Sequence, residues 1–535
     1  MYTVDTSFNQ SSADFLTSQL CFYSIWSPKL CIFETKMADP NDKVRDSGPV
    51  SSLDTDIEHD SAGELKEQKQ SHPNVVDFEG PEDPAHPLNW STRKKFLNIS
   101  IVSLMTLLSP TTSTVSSPVT TDIMEHFNST NEILGAFVTT VFLIGYTFGP
   151  SIIAPLSEIY GRTILYKICI VLFIVFNVAC AVANSMGSLI VFRLLAGIMG
   201  SCPVTLGPGS VADMISAEGR AKAMSAYVIG IILGPSIGPI CAGYIAPVKG
   251  WRWAFWLMAI IIGAIAIPVM FLQESYPYVI LKRKTEKLRK ETCNQDLRSA
   301  LDTGKSPRQL FVFSIWRPVK MLISPIIFLL SLYCALVYAY LYLCFTTFPE
   351  LLTKKYGFGT GPSGLATLGL GVGSIIGLFI SGGTSDKVSK YLTSKHGGPA
   401  KPEYRLPVLV VGAIITPIGL FLYGWTAHFG THWIVPIIGT AFIAAGMVIA
   451  FMATTMYLVD AYTVYAASAT AANTMVRCLI GALIPLAGPA MFSKLGYGWG
   501  NSLLGFIAVA FIPVPFVFYR YGERIRESKV FKVEF

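Results

Sequence analysis

The chain returns, about twelve times, to an apolar run of roughly 20 residues, the length a helix needs to cross a hydrocarbon layer about 30 Å thick. No other feature restricts the fold as much. In lipid every backbone N–H and C=O must be satisfied within the chain, and a spanning helix does this alone. The runs fall near 96–117, 133–153, 163–183, 187–209, 222–246, 253–273, 322–347, 363–383, 406–426, 433–457, 465–492 and 499–519. With 52% hydrophobic and 14% charged residues and a mean hydropathy of +0.50, most of the chain has lipid as its solvent.

Charge orients the spans, because Lys and Arg collect in cytosolic loops. Arg93, Lys94 and Lys95 precede the first span, Arg162 and Lys167 follow the second, and Arg220 and Lys222 follow the fourth. The link from Lys282 to Lys320 holds eleven Lys/Arg and Lys387 to Arg405 five more, whereas Pro118 to Asn131 on the opposite side has none. Both termini are therefore expected in the cytosol. The first 90 residues carry 16 Asp/Glu against 6 Lys/Arg, which predicts a disordered acidic cytosolic tail over 1–94. Met37, opening MADP, is an alternative start. The predicted order is then a six-helix bundle at 95–275, a cytosolic link at 276–321, a second bundle at 322–520 and a short cytosolic tail at 521–535. Two similar halves form the repeat architecture of secondary transporters, with the substrate site between them near the midplane.

Several chemistries lack their residues. The ten cysteines are scattered, no CxxC or ligand cluster occurs, and there is no GxxxxGK[ST] phosphate loop. No metal, cofactor or nucleic-acid partner is expected, nor an enzyme: the spans show no His/Asp/Glu constellation. Glycines 369, 371, 373 and 377 sit in an apolar helix, where such spacing serves close packing.

The motifs are more specific together than singly. They are PEDPAHPLNW (81–90), APLSEIYGR (154–162), LIVFRLLAGIMG (189–200), GIILGPSIGP (230–239), QESYPYVILKRK (273–284), RPVKML (317–322), KPEYRLP (401–407) and YLVDAY (457–462). In this combination, over roughly residues 80–527, the chain resembles the major facilitator superfamily, and within it the fungal drug:proton antiporters with twelve spans. Ala154 replaces the usual glycine, Glu158 the usual aspartate, and Ala196 a common glutamine. The resemblance implies an all-α membrane protein of two six-helix bundles related by a pseudo-twofold axis. It further implies a monomeric, proton-driven exporter of a small organic molecule in the plasma membrane, with vacuolar or vesicle membranes as alternatives.

Each motif also has a physical reading. Glu158, Gly161 and Arg162 form a turn whose charges can pair with each other or with Asp213, Glu218 and Arg220, biasing two conformations of the bundle. The alternative is a plain solvated turn. Asp386 and Lys387 read as a degenerate second copy. Arg193, several residues inside a span, costs at least about 2.5–3.5 kcal/mol on insertion scales unless it faces a partner or water. The resemblance gives that position a part in proton coupling, and a hydrogen-bond hub is the alternative. Gly230, Gly234, Pro235, Gly238 and Pro239 place small residues on one face of a bent helix, which the resemblance identifies as the antiporter helix. Asp460 and Arg477 are placed as a structural pair across helices.

Candidate cavity residues are Asn98, Ser103, Tyr338, Tyr342, Phe345, Thr454 and Tyr457, since aromatic rings with polar tips suit an amphipathic organic substrate. Tyrosines also anchor helices at membrane interfaces. Asn128-Ser129-Thr130 is a glycosylation sequon on the outer side. An importer or facilitator of sugars, organic acids or polyamines on the same fold is the runner-up. A cavity with few acids argues against polycations and for a neutral or weakly charged, partly apolar metabolite or drug.

Overall fold

The computed structural model describes residues 74–80, 82–302, 307–396, 401–462 and 465–527. The tail predicted to be disordered to residue 94 is ordered from Asn74 on, while residues 1–73 lie outside the described residues. Strand β1 (Val75–Val76) runs parallel to β2 (Arg298–Ser299) of the link between the halves. The Asp83 carboxylate accepts from Glu79 N (2.9 Å) and Ala85 N (2.8 Å), which holds its pKa below the ordinary carboxylate range. Lys284 joins Glu79 at 2.8 Å, clipping this segment to the link. Acidic composition favours disorder, but a basic partner supplied by the link is invisible to composition.

The first half contains α1 (Thr92–Thr114), a short α2 (Thr120–His126), α3 (Glu132–Tyr160), α4 (Arg162–Ala181), α5 (Met186–Met214), α6 (Ala217–Lys249) and α7 (Arg252–Met270). The link carries α8 (Pro277–Thr292) and α9 (Pro307–Met321). The second half contains α10 (Pro325–Tyr356), short α11 (Thr360–Ala366), α12 (Leu368–His396), α13 (Leu406–Phe429), α14 (Ile434–Ala461), α15 (Ala466–Leu483), α16 (Gly488–Phe511) and α17 (Pro513–Glu527). The predicted link thus contains helices of its own, and α17 runs on from the second bundle into the predicted tail.

Eleven helical stretches among the described residues are long and apolar enough to cross a membrane, and the last, Ala466–Arg526, runs for 61 residues. That stretch is two passages. Gly496 inside α16 has φ 68° and ψ 171°, which no helix tolerates. In a straight helix Phe492 and Gly500 would lie about 12 Å apart along the axis. Instead a Cβ on Gly500 would stand 2.7 Å from the Phe492 ring, so the chain doubles back at Gly496.

Each half has its own apolar interior. One cluster runs through the first half from Ile101 to Leu272 and takes in Cys478 of α15 from the other half. Two clusters fill the second half. The pairing of α6 with α1 is the closest backbone contact the motifs specify. A Cβ on Gly230 would lie 3.2 Å from the Ser103 carbonyl, one on Gly234 2.7 Å from the Leu107 carbonyl, and one on Gly238 would overlap the Thr111 carbonyl. These contacts advance by four residues on both helices, so the two helices touch backbone to backbone along one row. Pro239 has no N–H to give the Pro235 carbonyl, and the Thr114 hydroxyl supplies the missing donor at 2.7 Å. Gly238→Val is accordingly expected to destabilise the purified protein by about 1–3 kcal/mol, as overpacking does, whereas Gly263→Ala, where a Cβ meets nothing within 4 Å, should cost little; thermal unfolding in detergent measures both.

Candidate functional site

Four places bring the sequence-selected residues together: a charged cluster on the basic side of each half, a buried arginine within the first half, and an aromatic seam between the halves.

In the first cluster Gly161, with φ 98°, ends α3 and starts α4. Glu158 and Arg162 therefore belong to different helices and do not stack one turn apart on a single helix end. Arg162 reaches Asp213 at the end of α5: Nη2 donates to Oδ1 at 3.2 Å, and Nε stands 2.8 Å from Oδ2 as an ion-pair contact. Its Nη1 donates to the Leu206 carbonyl at 3.1 Å, and its guanidinium lies 5.2 Å from the centre of the Tyr276 ring. Glu158 belongs to this neighbourhood: burial first, and the Glu158 carboxylate after it, push the Tyr276 hydroxyl pKa up. Arg220 is exposed and contributes a long bond of 3.4 Å to the Ala212 carbonyl. Glu218 lies in α6 and its side chain is outside the described residues.

Glu274 completes the cluster and was not singled out from sequence. Its carboxylate accepts from Arg162 N (3.0 Å), Thr163 N (3.1 Å) and its own neighbour's Tyr276 N (3.1 Å). It thus caps the free N–H groups at the start of α4, where the helix dipole also favours negative charge. With φ 98° Gly161 sits where glycine is favoured, and a Cβ there would press on the Glu274 carboxylate. Glu274→Ala should cost about 0.5–2 kcal/mol, the loss of a helix cap, while Glu274→Gln keeps an acceptor oxygen and costs less. Thermal unfolding of the two variants side by side reads the difference.

The second half repeats the device with different residues. Arg405, at the start of α13, donates from Nε to Asp460 at 3.0 Å, from Nη1 to Ser385 Oγ at 3.1 Å, and pairs through Nη1 with Asp386. The cation of the degenerate second copy is therefore Arg405 and not Lys387, which is exposed. Asp460 is committed to Arg405, so the Asp460–Arg477 pair predicted from sequence does not form. The reason is depth: Asp460 ends α14, whereas Arg477 lies within α15 and is buried. Position for position, Arg405 and Asp460 occupy in the second half the places that Arg162 and Asp213 occupy in the first.

Arg193 is fully buried. Its Nη1 donates to Thr112 O at 2.7 Å, Nη2 to Ser113 O at 2.6 Å and Ser116 Oγ at 3.3 Å, and Nε to Val138 O at 3.0 Å. Thr112 and Ser113 belong to the last turn of α1, where carbonyls run out of helical donors and where a positive charge meets the negative end of the dipole. The Phe142 and Phe255 rings lie 5.0 and 5.8 Å from the guanidinium. This geometry is that of a hub tying α1 and α3 to α5.

The aromatic seam is built on α10. Tyr338 and Tyr342 lie 5.0 Å apart by ring centres, and Phe345 follows at 5.8 Å from Tyr342. The Tyr342 hydroxyl bonds Ser113 Oγ of α1 at 2.9 Å, and Tyr338 and Tyr342 form one buried cluster with Leu143 of α3 and Ala482 of α15. Ser117 Oγ donates to the Phe345 carbonyl further along. Tyr338 and Tyr342 therefore stand between the halves, whereas Phe345 meets the first half through its backbone carbonyl and packs its ring in an interior cluster of the second half. The contacts of the other cavity candidates lie within one half. Asn98 spends its amide on the Lys94 carbonyl of its own helix at 2.8 Å, Ser103 turns its carbonyl to the α1–α6 seam, and Tyr457 packs in an interior cluster of the second half with Leu406 and Phe518. Thr454 is buried in α14. Asn128 is exposed just beyond α2, at φ 51°.

Two bundles of six spans with a shared seam define a multi-pass membrane protein of transporter architecture. The family model described as Major Facilitator Superfamily matches residues 102–485, and the chain belongs to that family. It is 53% identical over 472 residues to the MFS-type transporter penM of Penicillium rubens, covering 88% of this chain and 93% of that protein. It is 43% identical to the efflux pump radE of Floropilus chiversii, covering 87% of each. Among solved structures, the partially occluded inward-open xylose transporter XylE of E. coli superposes with a TM-score of 0.60 at 19% identity, over 80% of this chain and 98% of that one. That likeness concerns the fold. Relatives of this identity are transporters, and the chain is not an enzyme.

Proposed function

We propose that this chain is a proton-coupled exporter of a small, partly apolar organic molecule, a secondary metabolite or drug, working by alternating access between its halves. The observation that carries the reading is the paired device on the basic side, Arg162 with Asp213 and Arg405 with Asp460, each joining the start of one span to the end of another. Such pairs hold one conformation and are broken in the other, so each conformation is a discrete state that substrate and protons can bias. Similarity to a protein named an efflux pump supports the outward direction. The glycine row of α6 against α1 supports it too, since the antiporter helix is the motif that separates exporters from importers in the family the sequence resembles.

In this reading both termini and the basic loops face the cytosol, and the protein acts in the plasma membrane as a monomer. Arg193 affects coupling indirectly: a guanidinium keeps its proton, so its part is to hold α1, α3 and α5 in register. Accumulation of a panel of labelled organic compounds in cells expressing the chain tests the proposal. Expression should lower accumulation of some compounds, and a protonophore should restore it. Raised accumulation would favour an importer instead.

A further inference from the structure

The two buried arginines differ in one respect that the transport reading does not use. Every nitrogen of Arg193 that donates has an acceptor within 3.3 Å. Arg477, 8% exposed, makes no hydrogen bond and no ion pair among the described residues, and its Nε is buried without a partner. Its close neighbours are the Tyr338 ring at 4.4 Å and the Phe451 ring at 4.8 Å. Rings attract a cation but give its five N–H groups no acceptor. One turn earlier on α15, Asn473 is buried and its Oδ1 is also without a partner. A charge left this way in a membrane interior is costly, and such residues mark binding sites or ion paths.

We propose that Arg477 is the anchor for an anionic group of the transported substrate, a carboxylate or a resonance-stabilised enolate or phenolate on an aromatic or apolar body. The inference rests on the transport reading and names its substrate class. Location supports it. Tyr338, which stacks on Arg477, is the same ring that meets Leu143 of the opposite half, and a Cβ on Gly481 of α15 would lie 2.7 Å from it. Arg477 is thus one ring away from the seam, and parting of the halves uncovers it. Charge supports it as well. In α1, α3, α10, α14 and α15 the only carboxylates are Glu132, Glu158, Glu350 and Asp460, and all lie at or near helix ends. The interior around the seam is therefore positive, with Arg193 and Arg477 and no acid to balance them. A planar anion matches the fork of a guanidinium with two parallel N–H···O bonds, while Tyr338 and Tyr342 cover its apolar body.

The test uses the purified full-length protein and three probes of matched shape: 1-naphthoate, neutral 1-naphthamide and cationic 1-naphthylmethylammonium. Binding is read by thermal shift and calorimetry. Naphthoate should bind about tenfold or more tighter than naphthamide, the scale of a charge-assisted hydrogen bond, with the ammonium weakest. Arg477→Gln and Arg477→Met should each erase that preference, Arg477→Lys should keep part of it, and the two neutral variants should melt no lower than the parent because an unpaired charge has been removed. Equal binding of the three probes by the parent overturns the proposal, as does a preference that survives in Arg477→Met or a melting loss like that of an Arg193 variant. Binding in detergent is independent of transport direction. A charge preference without gradient-driven movement of any probe would leave the anchor standing and remove the exporter reading, and movement of all three probes alike would do the reverse.

Discussion

Replacing Arg193 by Met should lower the unfolding free energy of the purified protein by about 3–5 kcal/mol, the cost of breaking a buried, fully satisfied polar centre. Four hydrogen bonds are lost, two of them to the last turn of α1. The Thr112, Ser113 and Val138 carbonyls are left facing a thioether that cannot donate. Arg193→Lys restores the charge but not the fork, because one ammonium cannot reach three carbonyls on two helices, so it should recover less than half of the loss. Unfolding in detergent, followed by the near-ultraviolet signal of the buried aromatics, measures both. If Arg193→Met melted with the parent and only transport fell, the hub reading would be wrong and a direct part in coupling would take its place.

The second large effect concerns the bridge of the first half. Arg162→Ala should reduce transport about 10- to 100-fold, because removing one partner of a mostly buried pair shifts a two-state equilibrium by about 1.4–2.7 kcal/mol. Asp213→Ala should do the same, and the double variant should be no worse than either single one, since the pair acts as a unit. Arg405→Ala in the second half should cost less. The side chains of Arg162 and Asp213 are 15% and 13% exposed, whereas those of Asp386 and Asp460 are 71% and 39% exposed and remain hydrated when their partner leaves. Initial transport rates of the four variants, normalised to protein in the membrane, decide this. Equal losses at both bridges would contradict the burial argument.

The spans were legible because lipid leaves a chain few options: apolar length and the positions of Lys and Arg locate almost every helix. The turn at Gly496 could be placed only as a gap between two runs, because glycine marks it no more strongly than the glycines that pack. Side-chain partners were less legible. Asp460 and Arg477 looked complementary along the sequence, yet partnership depends on depth in the membrane, and Arg405 reaches Asp460 from a different helix. Glu274 and Arg405 both lay inside motifs that had been recognised, QESYP and KPEYRLP, but a motif does not say which atoms meet. Periodicity put Tyr338, Tyr342 and Phe345 on one face, and the structure sets the two tyrosines between the halves while the Phe345 ring packs inside the second half. Asn98 gives its amide N–H to the Lys94 carbonyl, since an amide in a helix finds its own backbone first.

The most direct measurement is substrate movement into proteoliposomes whose outward-facing protein presents its basic side to the medium, with the lumen made acidic. The account predicts that a labelled substrate found in the cell assay accumulates inside while the pH difference lasts, stops when a protonophore is added, and is not carried by Arg162→Ala at more than a tenth of the parent rate. Accumulation that ignores the pH difference, or movement only out of the acidic lumen, would contradict proton-driven export.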